Sequence, residues 1–141
     1  MEAIKNISSL KREQEMVGKL KQIAKDIFNE LGSGHGEAVY QKAFEVALRL
    51  EKIAYESQRI VPIFYKKYNV GTGRPDIIIN DSKGKILIEL KAIPATLSFK
   101  EETQVRKYIE VLRINEALLI NFPQPNSIKV PNVPEIRLVN L

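Results

Sequence analysis

The amino-acid sequence predicts an α/β domain built on a mixed sheet, and three observations point to it. Apolar residues recur with helical period up to about residue 53, then give way to short extended runs, and the helical period returns over residues 99–113. The 141 residues, 44% of them hydrophobic and 28% charged, are enough to bury a core and exclude a disordered or fibrous chain. No internal repeat, low-complexity block or linker interrupts the chain, so it reads as one domain over 1–141. Residues 1–31 form an N-terminal helical part, 32–122 a core, and 123–141 a loop with a C-terminal strand.

The first helix, over residues 8–31, presents Val17, Leu20, Ala24, Ile27, Phe28 and Leu31 on one face. Gly32-Ser33-Gly34-His35-Gly36 stops it, because glycine takes the left-handed conformation that ends a helix. A second helix, over about 36–53, is expected to bury Val39, Tyr40, Ala43, Phe44, Ala47 and Leu50. Arg59–Tyr65 reads as a first strand, with Pro62 marking an edge or a bulge. Pro75–Asn80 and Lys85–Lys91 form the clearest hairpin, joined by Asp81–Gly84. Phe99–Arg113 is a third helix with Val105, Ile109 and Leu112 facing inward and Glu101 and Glu102 suited to its first turn. Ala117–Phe122 and Ile136–Val139 are short strands, and the Pro- and Asn-rich stretch between them is a loop. The predicted order is ααβββαβ(β).

Composition narrows the chemistry. The chain has no Cys and one His, which removes disulfides, thiol nucleophiles and iron–sulfur clusters and makes a His-rich metal site or a Ser-His-Asp triad hard to build. Carboxylates, lysines and backbone remain. No apolar run approaches the length of a membrane span, and Met1 opens a mixed helical stretch rather than an apolar signal segment. The expectation is a soluble, cytoplasmic protein with no membrane partner. Lys and Arg number 22 against 17 acidic residues, a net charge of +5 that permits a nucleic-acid partner without establishing one.

The hairpin is the most informative stretch. If Asp81–Gly84 is its loop, Asn80 opposes Lys85, and counting back sets Asp76 opposite Glu89. Directly paired residues have Cβ atoms about 4.5–5.5 Å apart. Both strands are otherwise apolar on both faces, so two carboxylates lie side by side in buried sheet and call for a cation. Lys91, two residues after Glu89 on the same face, supplies one charge. A divalent ion would supply the rest, and hard oxygen ligands without His or Cys suit Mg²⁺ or Mn²⁺ rather than zinc. A plain ion-pair cluster at a strand end accounts for these three residues equally well.

Glu37 falls on the edge of the second helix's apolar stripe, and Gln104 and Tyr108 are neighbours one turn apart on the third. Taken singly, Glu37 is a favourable first-turn acid and Tyr108 a half-buried packing residue. Together with the hairpin residues they are polar groups at core edges, all converging on one sheet. His35 reads as a loop histidine without a chemical role. Arg59, Lys66, Lys67 and Arg74 occur in a stretch without acids, and Lys83, Lys85, Lys100, Arg106 and Lys107 add charge near the proposed site. These could track phosphates, although a solvated surface is the default reading of each one.

Gly34-His35-Gly36-Glu37-Ala38-Val39-Tyr40, Gln58, Arg74-Pro75-Asp76, Glu89-Leu90-Lys91, Gln104 to Tyr108 and Asn121-Phe122 together resemble the GxxExxY family, a compact branch of the PD-(D/E)XK nuclease superfamily. The Gln104–Tyr108 element is similar to the QxxxY of RecB-like and Cas4-like members. The resemblance covers about residues 32–122 and implies a restriction-endonuclease-like fold and Mg²⁺- or Mn²⁺-dependent hydrolysis of DNA or another nucleic acid. It implies Asp76 and Glu89 as metal ligands, joined by the Leu90 carbonyl and by Glu37 directly or through water. It implies Lys91 as the residue that positions the attacking water. Gln104 would orient that lysine or a phosphate, Tyr108 and Arg74 would contact substrate, and Gln58 would support the site from the first strand. A domain this small would grip a duplex better as a homodimer. The competing readings are a catalytically silent nucleic-acid-binding or protein-interaction module that keeps the fold, and a hydrolase of small phosphoesters.

Overall fold

In the computed structural model the described residues are 6–82, 84–125 and 131–140, with backbone alone for residues 6–13. Lys83, and the parts of the expected terminal segments and loop at 1–5, 126–130 and 141, lie outside the described residues.

Two helices come first, α1 (Asn6–Leu31) and α2 (Glu37–Leu50). α1 buries Val17, Leu20, Ile23, Ala24, Ile27 and Phe28, and ends at Gly32, whose φ of 70° is the left-handed turn expected of glycine. Leu31, the last residue of the helix, is exposed instead of buried. In α2 the buried line is Tyr40, Phe44 and Leu48, each four residues from the last, with Ala43 and Ala47 packed beside it. Val39 and Leu50, expected inside, lie outside this line and are exposed.

Five strands precede the third helix: β1 (Tyr55–Ser57), β2 (Val61–Tyr65), β3 (Tyr68–Gly73), β4 (Ile77–Asp81) and β5 (Gly84–Lys91). Then follow α3 (Phe99–Leu112), β6 (Glu116–Asn121) and β7 (Glu135–Asn140). The central sheet has the order β1-β4-β5-β6-β7, antiparallel except for the β5–β6 pair. Parallel neighbours need a crossover, and α3 provides it. A capping box starts α3: Ser98 accepts from the Lys100 N–H while Glu101 accepts from the Ser98 N–H.

Alternation along β4 and β5 divides the core into two. Ile77, Ile79, Ile86, Ile88 and Leu90 face α1 and α2, whereas Ile78, Leu87 and Leu119 face α3 with Val105, Tyr108 and Ile109. The architecture is a mixed sheet with helices on both faces, as the fold class anticipates, and it contains two strands more than expected. The stretch read as the first strand is not in the central sheet. It is β2, which pairs only with β3 in a separate two-stranded ribbon, and the sheet edge is taken by β1. The β4–β5 register pairs Asn80 with Lys85 as expected, but Asp81 also pairs with Gly84, so the connection is two residues shorter.

Candidate active site

β4 begins at Ile77, immediately after Asp76, and Glu89 lies near the end of β5; continuing the register sets the two opposite each other. The contacts agree. The Asp76 N–H donates to Glu89 Oε1 at 3.2 Å, and the Leu90 N–H donates to Asp76 Oδ2 at 2.7 Å. Both carboxylates lie on the α3 face, since Asp76 alternates with Ile78 and Glu89 with Leu87. Position 75 falls opposite Leu90, and proline has no N–H to donate there. The Leu90 carbonyl, on the same strand edge as its Asp76-bound N–H, therefore gets no ladder bond from Pro75.

Electrostatics follow from this crowding. Burial pushes the Glu89 carboxyl up to about 8, with the charge and hydrogen bonding of Asp76 adding to it and Lys91 opposing. Asp76 is also raised, by burial foremost, against the Leu90 N–H, the Glu89 contact and Lys91. The pair as a unit therefore holds its protons to higher pH than two separate carboxyls would. Glu37, at the first turn of α2, is raised by partial burial; Lys91 pulls it down and Asp76 pushes it up, so its carboxyl feels both charges.

A second chain of groups runs out toward α3. Lys91 Nζ donates to Gln104 Oε1 at 3.3 Å, and Gln104 Nε2 reaches the Tyr108 hydroxyl at 3.5 Å. The Tyr108 ring lies flush on Gly73 of β3, where a Cβ would come within 2.6 Å of Cε1. The structure thus brings together Asp76, Glu89, Leu90, Lys91, Gln104 and Tyr108, with Glu37 in electrostatic range. Gln58 does not join them. It occupies the exposed corner between β1 and β2 with φ 64°, and among the described residues makes no hydrogen bond to the cluster. Arg74 is exposed beside Asp76, also without a hydrogen bond to the cluster among the described residues.

Sequence reasoning quoted Tyr40, Asn121 and Phe122 in the motif without giving them a role, and passed over Gln41 and Gln124; all of them help to hold these groups in place. Gln41, one turn after Glu37, donates to the Asp76 carbonyl at 3.3 Å and to Glu45 at 3.4 Å. Its spacing from Glu37 was the available signal. Asn121 binds the Ile93 N–H and the Ile93 and Ala95 carbonyls, fixing the chain just beyond Lys91, whose own carbonyl accepts from the Phe122 N–H. Tyr40 stacks on Phe122 with centroids 4.3 Å apart, and its hydroxyl donates to the Gly32 carbonyl at 2.7 Å. Gln124 closes this latch by accepting from the Gly34 N–H and donating toward the Tyr40 hydroxyl and the Phe122 carbonyl. His35 binds the Leu31 carbonyl and meets the Tyr40 ring edge-on, an anchoring role.

The donor set fits a hard cation. Two carboxylates pressed together strongly enough to retain a proton are relieved by a divalent ion, and every nearby donor is oxygen. Among the described residues no three His, Cys, Asp or Glu side chains cluster to hold a metal by themselves. An ion here would complete its shell from backbone, phosphate and water oxygens, the habit of Mg²⁺ at phosphate-handling sites.

A mixed sheet flanked by helices, with an Asp and a Glu-x-Lys meeting across adjacent strands, defines a restriction-endonuclease-like protein. The chain belongs to the PD-(D/E)XK nuclease superfamily, whose family model matches residues 14–132. No curated protein matches it significantly. Among solved structures, the crystal structure of SSO0001 is similar in fold, with a TM-score of 0.56 at 18% identity over 73% of this chain. This chain spans 50% of that one.

Proposed function

We propose that the protein is a Mg²⁺- or Mn²⁺-dependent nuclease that hydrolyses DNA phosphodiester bonds, and that it falls in the GxxExxY branch of its superfamily. One observation carries the reading: Asp76 and Glu89 meet across adjacent strands, tied by the Asp76 N–H to Glu89 at 3.2 Å and the Leu90 N–H to Asp76 at 2.7 Å, crowded enough that burial raises both carboxyls, with Lys91 in electrostatic range of both. Asp76, Glu89 and the Leu90 carbonyl would hold the ion, with Glu37 contributing directly or through water. A bound divalent ion supplies a water of lowered pKa and neutralises charge on the scissile phosphate. Lys91 positions that water and stabilises the charge that develops on phosphate. Gln104 holds the ammonium in place, and Tyr108 together with Arg74 contacts the substrate backbone.

The test is cleavage of single-stranded, duplex and branched DNA with Mg²⁺ or Mn²⁺. Asp76→Ala, Glu89→Ala and Lys91→Ala are each expected to lower the rate by at least about 10²-fold. Binding without metal-dependent turnover in wild type and variants alike would sink the enzymatic reading and leave a silent binding module. A preference for mononucleotide esters over polymer would make the protein a small-phosphoester hydrolase.

A further inference from the structure

The β2–β3 ribbon leaves the body of the protein and is absorbed by nothing described above. Its root is fixed: Val61 is buried under α3, and Gly73 lies against Tyr108. Beyond the root, Ile63, Phe64, Tyr65, Tyr68 and Val70 are at least half exposed, and Tyr68 reaches 75%. Tyr65 and Tyr68 are direct cross-strand partners, so both rings stand on one face of the ribbon, while Phe64 takes the other.

The charge on this arm has one sign. No acidic residue occurs from Arg59 to Arg74, and although Arg59 is paired with Glu56 at 2.6 Å, Lys66 and Lys67 at the tip are not in ion pairs among the described residues. Lys66 Nζ lies 5.4 Å from the centroid of the Tyr65 ring. The tip is a two-residue turn in which both lysines adopt positive φ, 46° and 72°, where Asn-Gly is the favoured pair. Two ammonium groups are therefore carried at a point where the backbone disfavours lysine.

We infer that this ribbon is a stacking arm for an unpaired strand of nucleic acid, with Tyr65 and Tyr68 against base faces and Lys66 and Lys67 on phosphates. Uniform positive charge next to open aromatic rings is the combination that binds single strands, whose bases offer π-faces that a duplex hides. The arm leads into the active site. Tyr68 is eight residues before Asp76, so at 3.3 Å per residue it lies within about 26 Å of the carboxylate pair. The inference rests on the nuclease reading in taking the held strand as the one presented for cleavage, and it makes substrates with unpaired segments the preferred class.

The test is fluorescence anisotropy on the full chain in EDTA, titrating a labelled oligothymidine of about 16 nucleotides and a blunt two-strand duplex with no unpaired residues. Tyr65→Ala/Tyr68→Ala is expected to weaken single-strand binding at least about tenfold and duplex binding by less than about twofold. Tyr65→Phe/Tyr68→Phe should retain wild-type affinity, since stacking needs the ring and not the hydroxyl. Equal loss on both ligands, no loss on either, or a change only in sedimentation from dimer to monomer would each overturn the arm. Cleavage assays on the same proteins separate the two readings. A wild type that holds single strands through its tyrosines but cuts nothing overturns the nuclease and leaves the arm standing. Cleavage of flapped DNA at a rate untouched by the tyrosine variant does the reverse.

Discussion

Glu89 keeps a proton that the unfolded chain would surrender. Its carboxyl titrates near 8 in the fold against 4.5 ordinarily, so between those values the folded state binds more protons than the unfolded one. Stability without metal must then fall as pH rises from below 5 toward 8, the opposite of an ordinary ion-paired carboxylate, and Asp76, also raised, acts in the same direction. Thermal denaturation in EDTA across that range is expected to show the decline, and Glu89→Gln is expected to flatten it. Because cations and protons compete for the same oxygens, Mg²⁺ affinity by calorimetry should rise over the same interval. Lys91→Ala removes the charge that opposes the Glu89 shift, and should therefore move the decline to higher pH. The adjacency of Asp76 and Glu89 was legible because Asn80 and Lys85 set the register and strand pairing propagates it. For Gln41 the sequence offered only its place one turn after Glu37, since its partner is a backbone carbonyl 35 residues away that no side-chain pattern announces.

Long, strongly periodic elements could be read, and short or exposed ones could not. α1, α2, α3, β5 and β6 each bury enough apolar side chains to imprint their period on the sequence. β1 has three residues, too few to show an alternation, and β3 reads Tyr-Asn-Val-Gly-Thr-Gly because it meets the core only at its last residue, Gly73. The Lys66-Lys67 turn also lacks the Asn-Gly signal of a tight hairpin. At the root of that ribbon one contact is specific enough to test. Gly73→Ala drives a methyl into the Tyr108 ring, and is expected to cost about 1–3 kcal/mol in denaturant unfolding and to slow cleavage by displacing Tyr108 from Gln104. In a Tyr108→Ala background the same substitution should cost less, a non-additivity that identifies the clash as the cause.

For the whole molecule, two cores back to back on one sheet mean that the site is supported from both sides. α2 delivers Glu37 and Gln41, α3 delivers Gln104 and Tyr108, and the sheet between them carries the carboxylates. Tyr40 joins the α2 layer to the end of β6, so Tyr40→Ala should cost about 3–5 kcal/mol by thermal or denaturant unfolding. Gln124→Ala should cost only about 1 kcal/mol yet slow cleavage, because it frees the turn that leads into Glu37.

The Gly34–Gln124 bond also has a history in time. Its partners are 90 residues apart, and a ribosome adding about 5–20 residues per second separates their appearance by roughly 5–18 s. For that interval the emerging chain holds the glycine-rich turn before Glu37 without the latch, and Asn121, which secures the exit of Lys91, is equally late. The contacts that steady the approach to Glu37 and the exit of Lys91 can therefore form only after residues 121–124 have been synthesised.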